Sequence, residues 1–272
     1  MIEITQKDFE GAMPAMAFPT PEIYDKVSPH FADSYEFLAR YVLGDIGVSA
    51  LDGNDTLLYV TKKVICLETV TRIFASLDIV ATPTGFGVVS NQNTAPASAS
   101  RVNALQKELR TACFLAQGWL ATLLCAVEGW GSQAVATRVV PCLFFRFSQL
   151  RTFCGMTNAT CDDWTAAHLK IVAADEFLRI HVGDALMDDL LQKTRTDTLG
   201  NMTEAANAML EVVAAFILDN SHLKGVKYRR LQRLLDSDLE KYSLYRDSSA
   251  YRLNHVEQYE NAGDKAAFVF RG

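Results

Sequence analysis

Two similar motifs, one in each half of the chain, constrain the fold of this sequence more than any other feature. Glu36-Phe37-Leu38 leads through Val42 to Gly44-Asp45, and Glu176-Phe177-Leu178 leads through Val182 to Gly183-Asp184. In each half a helical pattern precedes the motif, an apolar helical pattern follows it, and a more charged helix comes next. Amphipathic helices share a few identities by chance, so the common order of elements carries the inference. The repeat predicts a scaffold of two similar helical units.

Apolar residues spaced by three and four predict the helices of both units. The clearest stripe begins after Ser98 or Ser100 and ends before Gly129. A linker-like stretch at 155–161 separates the halves, and Thr160 with Asp163 resembles a capping box. We therefore divide the chain as follows: an N-terminal arm or frayed terminus at 1–20, helical unit 1 at 21–155, helical unit 2 at 160–245, and a C-terminal tail at 246–272.

Three segments carry less regular patterns. The apolar stretch 138–153 is compatible with a buried helix or strand, and we expect a helix from about Pro141. Two β-branched runs around Pro83-Thr84-Gly85 predict a β-hairpin at 79–91, inserted in unit 1. The alternation at 267–270 predicts a terminal strand, which pairs either with a neighbouring subunit or with the hairpin of its own chain. The predicted fold class is mainly α: two similar helical-bundle units with a β-hairpin insertion and a C-terminal strand.

Charge and hydropathy exclude some classes of protein. The 272 residues carry a net charge of -6, so a globally basic surface for nucleic acid is not expected. No run approaches the ~18 apolar residues that span a membrane. The acidic N-terminus lacks a signal-peptide pattern, and we expect synthesis inside the cell without membrane association. The six cysteines form no CxxC pair, which predicts reduced thiols, most of them in the core.

No pattern in the sequence predicts an enzyme, a cofactor site or a metal site. Gly85-Phe-Gly87-Val-Val-Ser90 is close to a dinucleotide fingerprint, but Ser90 replaces the third glycine and no helix pattern follows. We interpret these glycines as turn residues of a projecting hairpin. His168, Asp175 and His181 lie along one predicted helix without the Glu-x-x-His spacing of bundle metal sites, and an ordinary polar helix surface is favoured.

A dense basic run lies in the last long helix. Its members are Lys224, Lys227, Arg229, Arg230 and Arg233. Leucines alternate with these charges, which is typical of an amphipathic helix with a solvated face. Two functional interpretations compete with a solvated face: the helix binds an acidic partner subunit, or it binds DNA phosphates. The carboxylates of Asp236, Asp238 and Glu240 follow at once and favour pairing between subunits.

Two stretches resemble a known group of proteins. One is Thr82-Pro-Thr-Gly-Phe-Gly-Val-Val-Ser-Asn-Gln-Asn-Thr-Ala-Pro-Ala-Ser98 with Arg101-Val102, and the other runs from Tyr259-Glu260-Asn261 to Phe268-Val269-Phe270. Both are similar to uncharacterised virion proteins of phages and prophages of Bacteroides-type bacteria, which resemble head–tail connector (adaptor) proteins. The half-repeat also resembles that class. The resemblance covers most of the chain.

The resemblance implies a structural protein in the neck of a virion, made in the bacterial host cytoplasm. It implies a homo-oligomeric ring between portal protein and tail or neck proteins, with genomic DNA passing through without sequence-specific binding. We expect the following interface residues: Gly85, Phe86, Gly87, Val88, Val89, Lys227, Arg229, Arg230, Arg233, Phe268, Val269 and Phe270. The alternatives are another neck or tail-completion protein, or an intracellular helical module that binds nucleic acid or protein.

Overall fold

Fourteen α-helices account for most of the chain in the computed structural model, which describes residues 2–13, 21–77, 79–82, 85–88 and 98–255. Seven lie before residue 140: α1 Gln6–Ala12, α2 Pro21–Val27, α3 Phe31–Leu38, α4 Gly44–Ser49, α5 Asp55–Ile73, α6 Ala99–Cys125 and α7 Ala134–Val139. Seven follow: α8 Ser148–Cys154, α9 Cys161–Val182, α10 Asp184–Arg195, α11 Thr203–Ile217, α12 Ser221–Asp236, α13 Ser243–Arg246 and α14 Ser249–Asn254.

The helices pack into two hydrophobic cores. The first core contains buried residues from Ile4 to Val140, and its longest helices are α5 and α6. The second core contains buried residues from Leu143 to Tyr245 and is built on α9 and α11. The chain therefore passes from one core to the other between 140 and 143. The sequence predicts this change at 155–161, but α8 packs in the second core, where Leu150 is fully buried.

The repeated motif forms the same local structure in both halves. Leu38 and Leu178 are each about 1% exposed, and a glycine with positive φ follows each helix. Gly44 has φ +63° after a π-helical turn, Ala39–Leu43, that prolongs α3, and Gly183 has φ +98° directly after α9. Only glycine adopts such angles without strain. A further helix begins at each junction, α4 at Gly44 and α10 at Asp184.

Two short strands are present between α5 and α6. β1 Ile79–Thr82 and β2 Gly85–Val88 pair antiparallel, with Ile79 opposite Val88 and Thr82 opposite Gly85. The ladder contains these two strands, and a two-stranded ribbon of four residues each adds little stability of its own. Both cores consist of helices in the part of the chain that the structure describes. The predicted fold class is therefore corrected to mainly α, because neither core contains β structure within the described residues and the two strands form only a local ribbon between α5 and α6 in the chain. The predicted C-terminal strand lies outside the described residues.

The segment after Pro141 is also not the predicted helix. Residues 140–147 are irregular, and the helix begins only at Ser148. Gln149, only 2% exposed, satisfies the irregular backbone: its Oε1 accepts from the Arg146 backbone N–H at 2.8 Å, and its Nε2 donates to the Leu143 carbonyl at 3.0 Å. A buried amide side chain thus replaces the hydrogen bonds that a helix would have supplied.

The expected N-terminal arm is partly folded onto the first core. Thr5 caps α1, and the Asp8 side chain accepts from the Thr5 backbone N–H at 2.9 Å. Phe9 on this helix is fully buried and packs against Tyr24 and Phe31, with ring centroids 5.9 and 6.1 Å apart. This aromatic cluster anchors residues 2–13 to the body of the protein.

Candidate assembly surfaces

The interface residues expected from the sequence fall in three places. Gly85, Phe86, Gly87 and Val88 form β2. Val89 and the terminal residues Phe268, Val269 and Phe270 lie outside the described residues. The four basic residues Lys227, Arg229, Arg230 and Arg233 lie on α12. Two members of this last group, Lys227 and Arg230, contact Glu211 of the neighbouring helix α11.

Part of the basic face of α12 is neutralised by α11. Lys227 Nζ lies 2.9 Å from Glu211 Oε2, and Arg230 Nη1 lies 3.2 Å from the same oxygen. Lys224 Nζ lies 4.4 Å from the centre of the Phe216 ring. These contacts hold α12 against α11 and reduce the positive charge available to a phosphate backbone.

Arg229 and Arg233 behave differently from their neighbours. Both are exposed, and within the described ranges no carboxylate oxygen lies within 4.0 Å of either guanidinium. Their charge is available to a partner. The basic run therefore divides into three residues that stabilise the fold, Lys224, Lys227 and Arg230, and a pair that is suited to recognition.

A row of exposed apolar side chains runs along α9. Leu169 is 78% exposed, Val172 55% and Ile180 60%. Their spacing of three and eight residues places them on one side of the helix, opposite the buried stripe that includes Ile171 and Leu178. We call Leu169, Val172 and Ile180 the α9 face. An apolar helix face without a covering element is typical of a protein–protein interface.

A second apolar surface lies on the first half of the chain. Tyr59 of α5 is 48% exposed, and Leu115 and Trp119 of α6 are 47% and 44% exposed. The rings of Tyr59 and Trp119 meet edge to face with centroids 6.2 Å apart. We call these three residues the Tyr59–Trp119 patch. Arg146 contributes a cation nearby, since its Nη1 donates to the Thr122 hydroxyl of α6 at 3.2 Å.

Sequence reasoning did not identify either surface. The buried stripe of each helix dominated its periodic pattern, and apolar residues outside the stripe were not singled out. For α9 a usable signal existed: the helix carries apolar residues on two opposite sides, which one-sided packing does not require. For the Tyr59–Trp119 patch the two rings come from different helices, so their contact is a property of the tertiary structure.

A groove with a volume of about 320 Å³ opens between the two cores. Phe37, Tyr41 and Arg138 from the first half of the chain line it, together with Phe147 and Trp164 from the second. Arg138 lies 5.3 Å from the centre of the Tyr41 ring, a cation–π contact. We call this cavity the inter-core groove. It combines aromatic walls with a fixed cation.

Glu68 is the acidic group of the inter-core groove. Burial raises the pKa of its carboxyl, and Arg72 opposes this shift only in part. Arg72 itself donates to the His30 carbonyl at 3.2 Å and lies 3.5 Å from Asp33. The Oε2 atom of Glu68 is buried and has no hydrogen-bond partner among the described residues. An unsatisfied carboxylate oxygen of this kind favours a ligand with a cation or N–H donor.

The polar residues considered for metal binding are engaged otherwise. Asp175 pairs with Arg179 at 3.0 Å, and His181 Nδ1 lies 2.8 Å from the Phe177 carbonyl oxygen. His168 is exposed. Within the described ranges, no group of three or more His, Cys, Asp and Glu side chains is suited to hold a metal ion.

The cysteines are free thiols. Cys66, Cys113 and Cys125 are buried, as predicted. Cys161 is also buried, although its sequence surroundings are less apolar, and Cys142 and Cys154 are half-buried. Burial raises the pKa of Cys66 to about 12, so its thiolate is suppressed at neutral pH. Separately, in the part of the chain that the structure covers, no helix combines the length and the apolar character needed to cross a bilayer.

Comparison with known proteins gives one match. Neither the curated proteins nor the solved structures contain a match to this chain. The model of a family described as "Family of unknown function (DUF6712)" matches residues 37–137, from the first motif to α7. The matched region includes the Tyr59–Trp119 patch and, of the inter-core groove, Phe37 and Tyr41 but not Arg138. The α9 face lies outside the match. The chain is thus similar to this family over the larger part of its first core.

Proposed function

We propose that this protein is a structural subunit of a phage virion that assembles into a homo-oligomeric ring, a head–tail connector between portal and tail. The observation that carries the proposal is the pair of exposed apolar surfaces, the α9 face and the Tyr59–Trp119 patch. They lie on different helices and have different shapes and composition.

Two unlike surfaces on one subunit favour a ring over a two-fold dimer. An isologous dimer buries the same patch of both copies, whereas a heterologous contact joins two different patches and closes into a ring when the rotation permits. In the contact that we propose, the α9 face of one copy covers the Tyr59–Trp119 patch of the next. Glu176, exposed between Val172 and Ile180 on α9, would then approach the basic Arg146 beside the patch.

The charge distribution supports a channel that DNA traverses without binding tightly. The net charge is -6, and Glu211 pairs with two of the basic residues of α12. The similarity of residues 82–98 and of the C-terminal stretch to virion proteins of Bacteroides-type phages supports the location in the neck. Under this proposal the partners are portal protein, tail or neck proteins and further copies of the chain.

Assembly of variants tests the proposal. Leu169→Asp places a charge in the α9 face, and we expect loss of the protein from virions of a phage that carries it. Leu253→Asp is the matched control, since Leu253 is 75% exposed on α14 and lies outside both surfaces. Cryo-electron microscopy of intact particles should show wild-type and Leu253→Asp chains as a ring between portal and tail. A chain absent from wild-type particles would contradict the proposal.

A helical binding module is the second candidate, and the free charge of Arg229 and Arg233 favours it. In this case a duplex DNA would bind the purified protein, and log Kd would depend on salt with a slope of about two for two phosphate contacts. Arg229→Gln with Arg233→Gln would abolish binding, and Lys227→Gln would serve as a control for a charge already paired. Absence of binding at low salt would exclude this candidate.

A further inference from the structure

The inter-core groove has the size and chemistry of a binding site for an apolar segment that carries a cation. Its volume of about 320 Å³ falls in the lower part of the range of ligand pockets, ~300–1,000 Å³. Phe37 and Tyr41 at its wall are 50% and 37% exposed, which is high for residues lining a cavity between packed helices. A ligand that covered them would bury apolar surface and gain stability from it.

The electrostatics of the groove restrict its occupant. The unsatisfied Oε2 of Glu68 requires a donor, and a guanidinium satisfies a carboxylate with two parallel hydrogen bonds. Arg138 is held against Tyr41 and supplies no hydrogen bond to Glu68. Aromatic side chains next to an arginine therefore fit both the walls and the acidic group.

One segment of this chain outside the described residues has that composition. In Phe268-Val269-Phe270-Arg271, two phenylalanines lie one and three residues before an arginine. The other undescribed segments do not combine an aromatic residue with an adjacent arginine: 14–20 contains Phe18 without a cation, and 89–97 contains no aromatic residue.

The segment is also within reach of the groove of its own chain. α14 is attached to the end of α9, where Asn254 Nδ2 donates to the His181 carbonyl at 3.3 Å. Trp164 of the groove lies 17 residues earlier on the same helix, or roughly 26 Å at 1.5 Å per residue. The 13 residues from His255 to Phe268 span up to ~43 Å when extended. The extended length of residues 255–268 therefore exceeds the distance along α9 between His181 and Trp164.

We propose that Phe268–Arg271 docks in the inter-core groove of the same chain, with both phenylalanines against its aromatic walls and Arg271 paired with Glu68. The bound segment then contacts both halves of the chain and stabilises their packing against each other. This inference does not depend on ring formation, because a single chain suffices.

Photo-crosslinking of the full-length protein tests the docking. With p-benzoyl-phenylalanine in place of Phe270, irradiation should give a monomer-sized product, joined to a peptide containing Tyr41, Phe147 or Trp164. The same crosslinker at Gln258 is the control and should not label these peptides. Dimer-sized products would show docking in a neighbouring chain and overturn the proposal. Products at other sites, or none, would also overturn it.

The charge pair is tested in the same assay. Arg271→Glu should lower the crosslinking yield at least fivefold, and Arg271→Lys should keep most of it. Glu68→Gln should lower the yield as Arg271→Glu does, with circular dichroism confirming that this buried change leaves the helices intact. If neither Arg271→Glu nor Glu68→Gln changes the yield, the ion pair is absent. The proposal that Phe268–Arg271 occupies the groove is then wrong.

Discussion

Arg195 joins the two cores by donating from both Nε and Nη2 to the carbonyl oxygen of Val140, at 3.0 and 2.9 Å. Val140 is the last buried residue of the first core, and Arg195 is the last residue of α10 in the second. Gln192, one turn earlier on α10, adds a hydrogen bond to the Gly131 carbonyl at 3.3 Å. The end of α10 is thus one of the places where polar contacts hold the two halves together; another is the bond from the Cys161 N–H to the Thr111 hydroxyl at 3.0 Å.

Replacing Arg195 by methionine should weaken this attachment. The Val140 carbonyl would remain buried without a donor, and we expect a loss of ~1–3 kcal/mol in the free energy of unfolding. Urea unfolding followed by circular dichroism measures the loss and should separate into two transitions as the cores become independent. Lys193→Met is the control, because Lys193 pairs with Asp189 on its own helix. Equal losses in both variants would contradict a special role for Arg195.

Gly131 allows the close approach of the cores at this point. A Cβ atom at residue 131 would lie 2.3 Å from the Arg195 carbonyl oxygen, a backbone atom that cannot rotate away. We expect Gly131→Ala to destabilise the protein by ~1–3 kcal/mol. Gly225→Ala is the matched control: nothing lies within 4 Å of its added Cβ, and within helix α12 the change should stabilise by ~0.5–1 kcal/mol. Thermal unfolding of both variants should therefore give midpoint shifts of opposite sign.

Trp130 stabilises the first Gly-Asp junction through a buried hydrogen bond. Its side chain is fully buried, and Nε1 donates to the Leu43 carbonyl at 2.9 Å, immediately before Gly44. Trp130→Phe should cost ~1–3 kcal/mol, because that carbonyl loses a donor and a cavity is left. Trp119→Phe changes a residue that is 44% exposed and should stay within ~0.5 kcal/mol of wild type. Guanidinium unfolding measures both, and similar shifts for the two would refute this assignment.

Asp8 should make the free energy of unfolding depend on pH under acidic conditions. Burial acts to raise the pKa of Asp8, but the hydrogen bonds from the Thr5 backbone and from Lys62 outweigh it and lower the pKa below 3.8. The unfolded state then binds more protons than the folded state, so this stabilisation is present above the unfolded pKa and lost as pH falls through the folded pKa.

Asp8→Asn should therefore be less stable than wild type at pH 7 by ~0.5 kcal/mol, a modest figure because the pair is partly exposed. The difference should shrink as pH falls below 3.8 and through the lowered pKa of Asp8, where the aspartate becomes protonated. Thermal unfolding between pH 2.5 and 7 follows this change, with Glu3→Gln, an exposed carboxylate on the same segment, as the control. A difference that did not decrease over this range would mean that the ion pair is not its source.

Local sequence patterns predicted the helices well where caps and stripes agree. Thr160 and Asp163 form the expected capping box, with Thr160 N–H donating to Asp163 Oδ2 at 2.7 Å, and α9 begins at the next residue. In the stripe predicted for α6, Leu109, Ala116 and Leu120 are buried, whereas Val102 near the start of the helix is 38% exposed. Prediction failed at Pro141, where the apolar composition suits a helix but the buried side chain of Gln149, at the start of α8, bonds the irregular backbone at Leu143 and Arg146.

The sequence by itself determined that the chain is mainly α, that two similar motifs end in glycine and aspartate, and that the cysteines are mostly core residues. These properties depend on local backbone preference and on which side of a helix is apolar. Only the tertiary structure decided where the cores meet, which apolar residues of α9 and α6 stay exposed, and that Arg195 and Gly131 form the junction. Such contacts join residues more than fifty positions apart, and no local pattern encodes the distance between them.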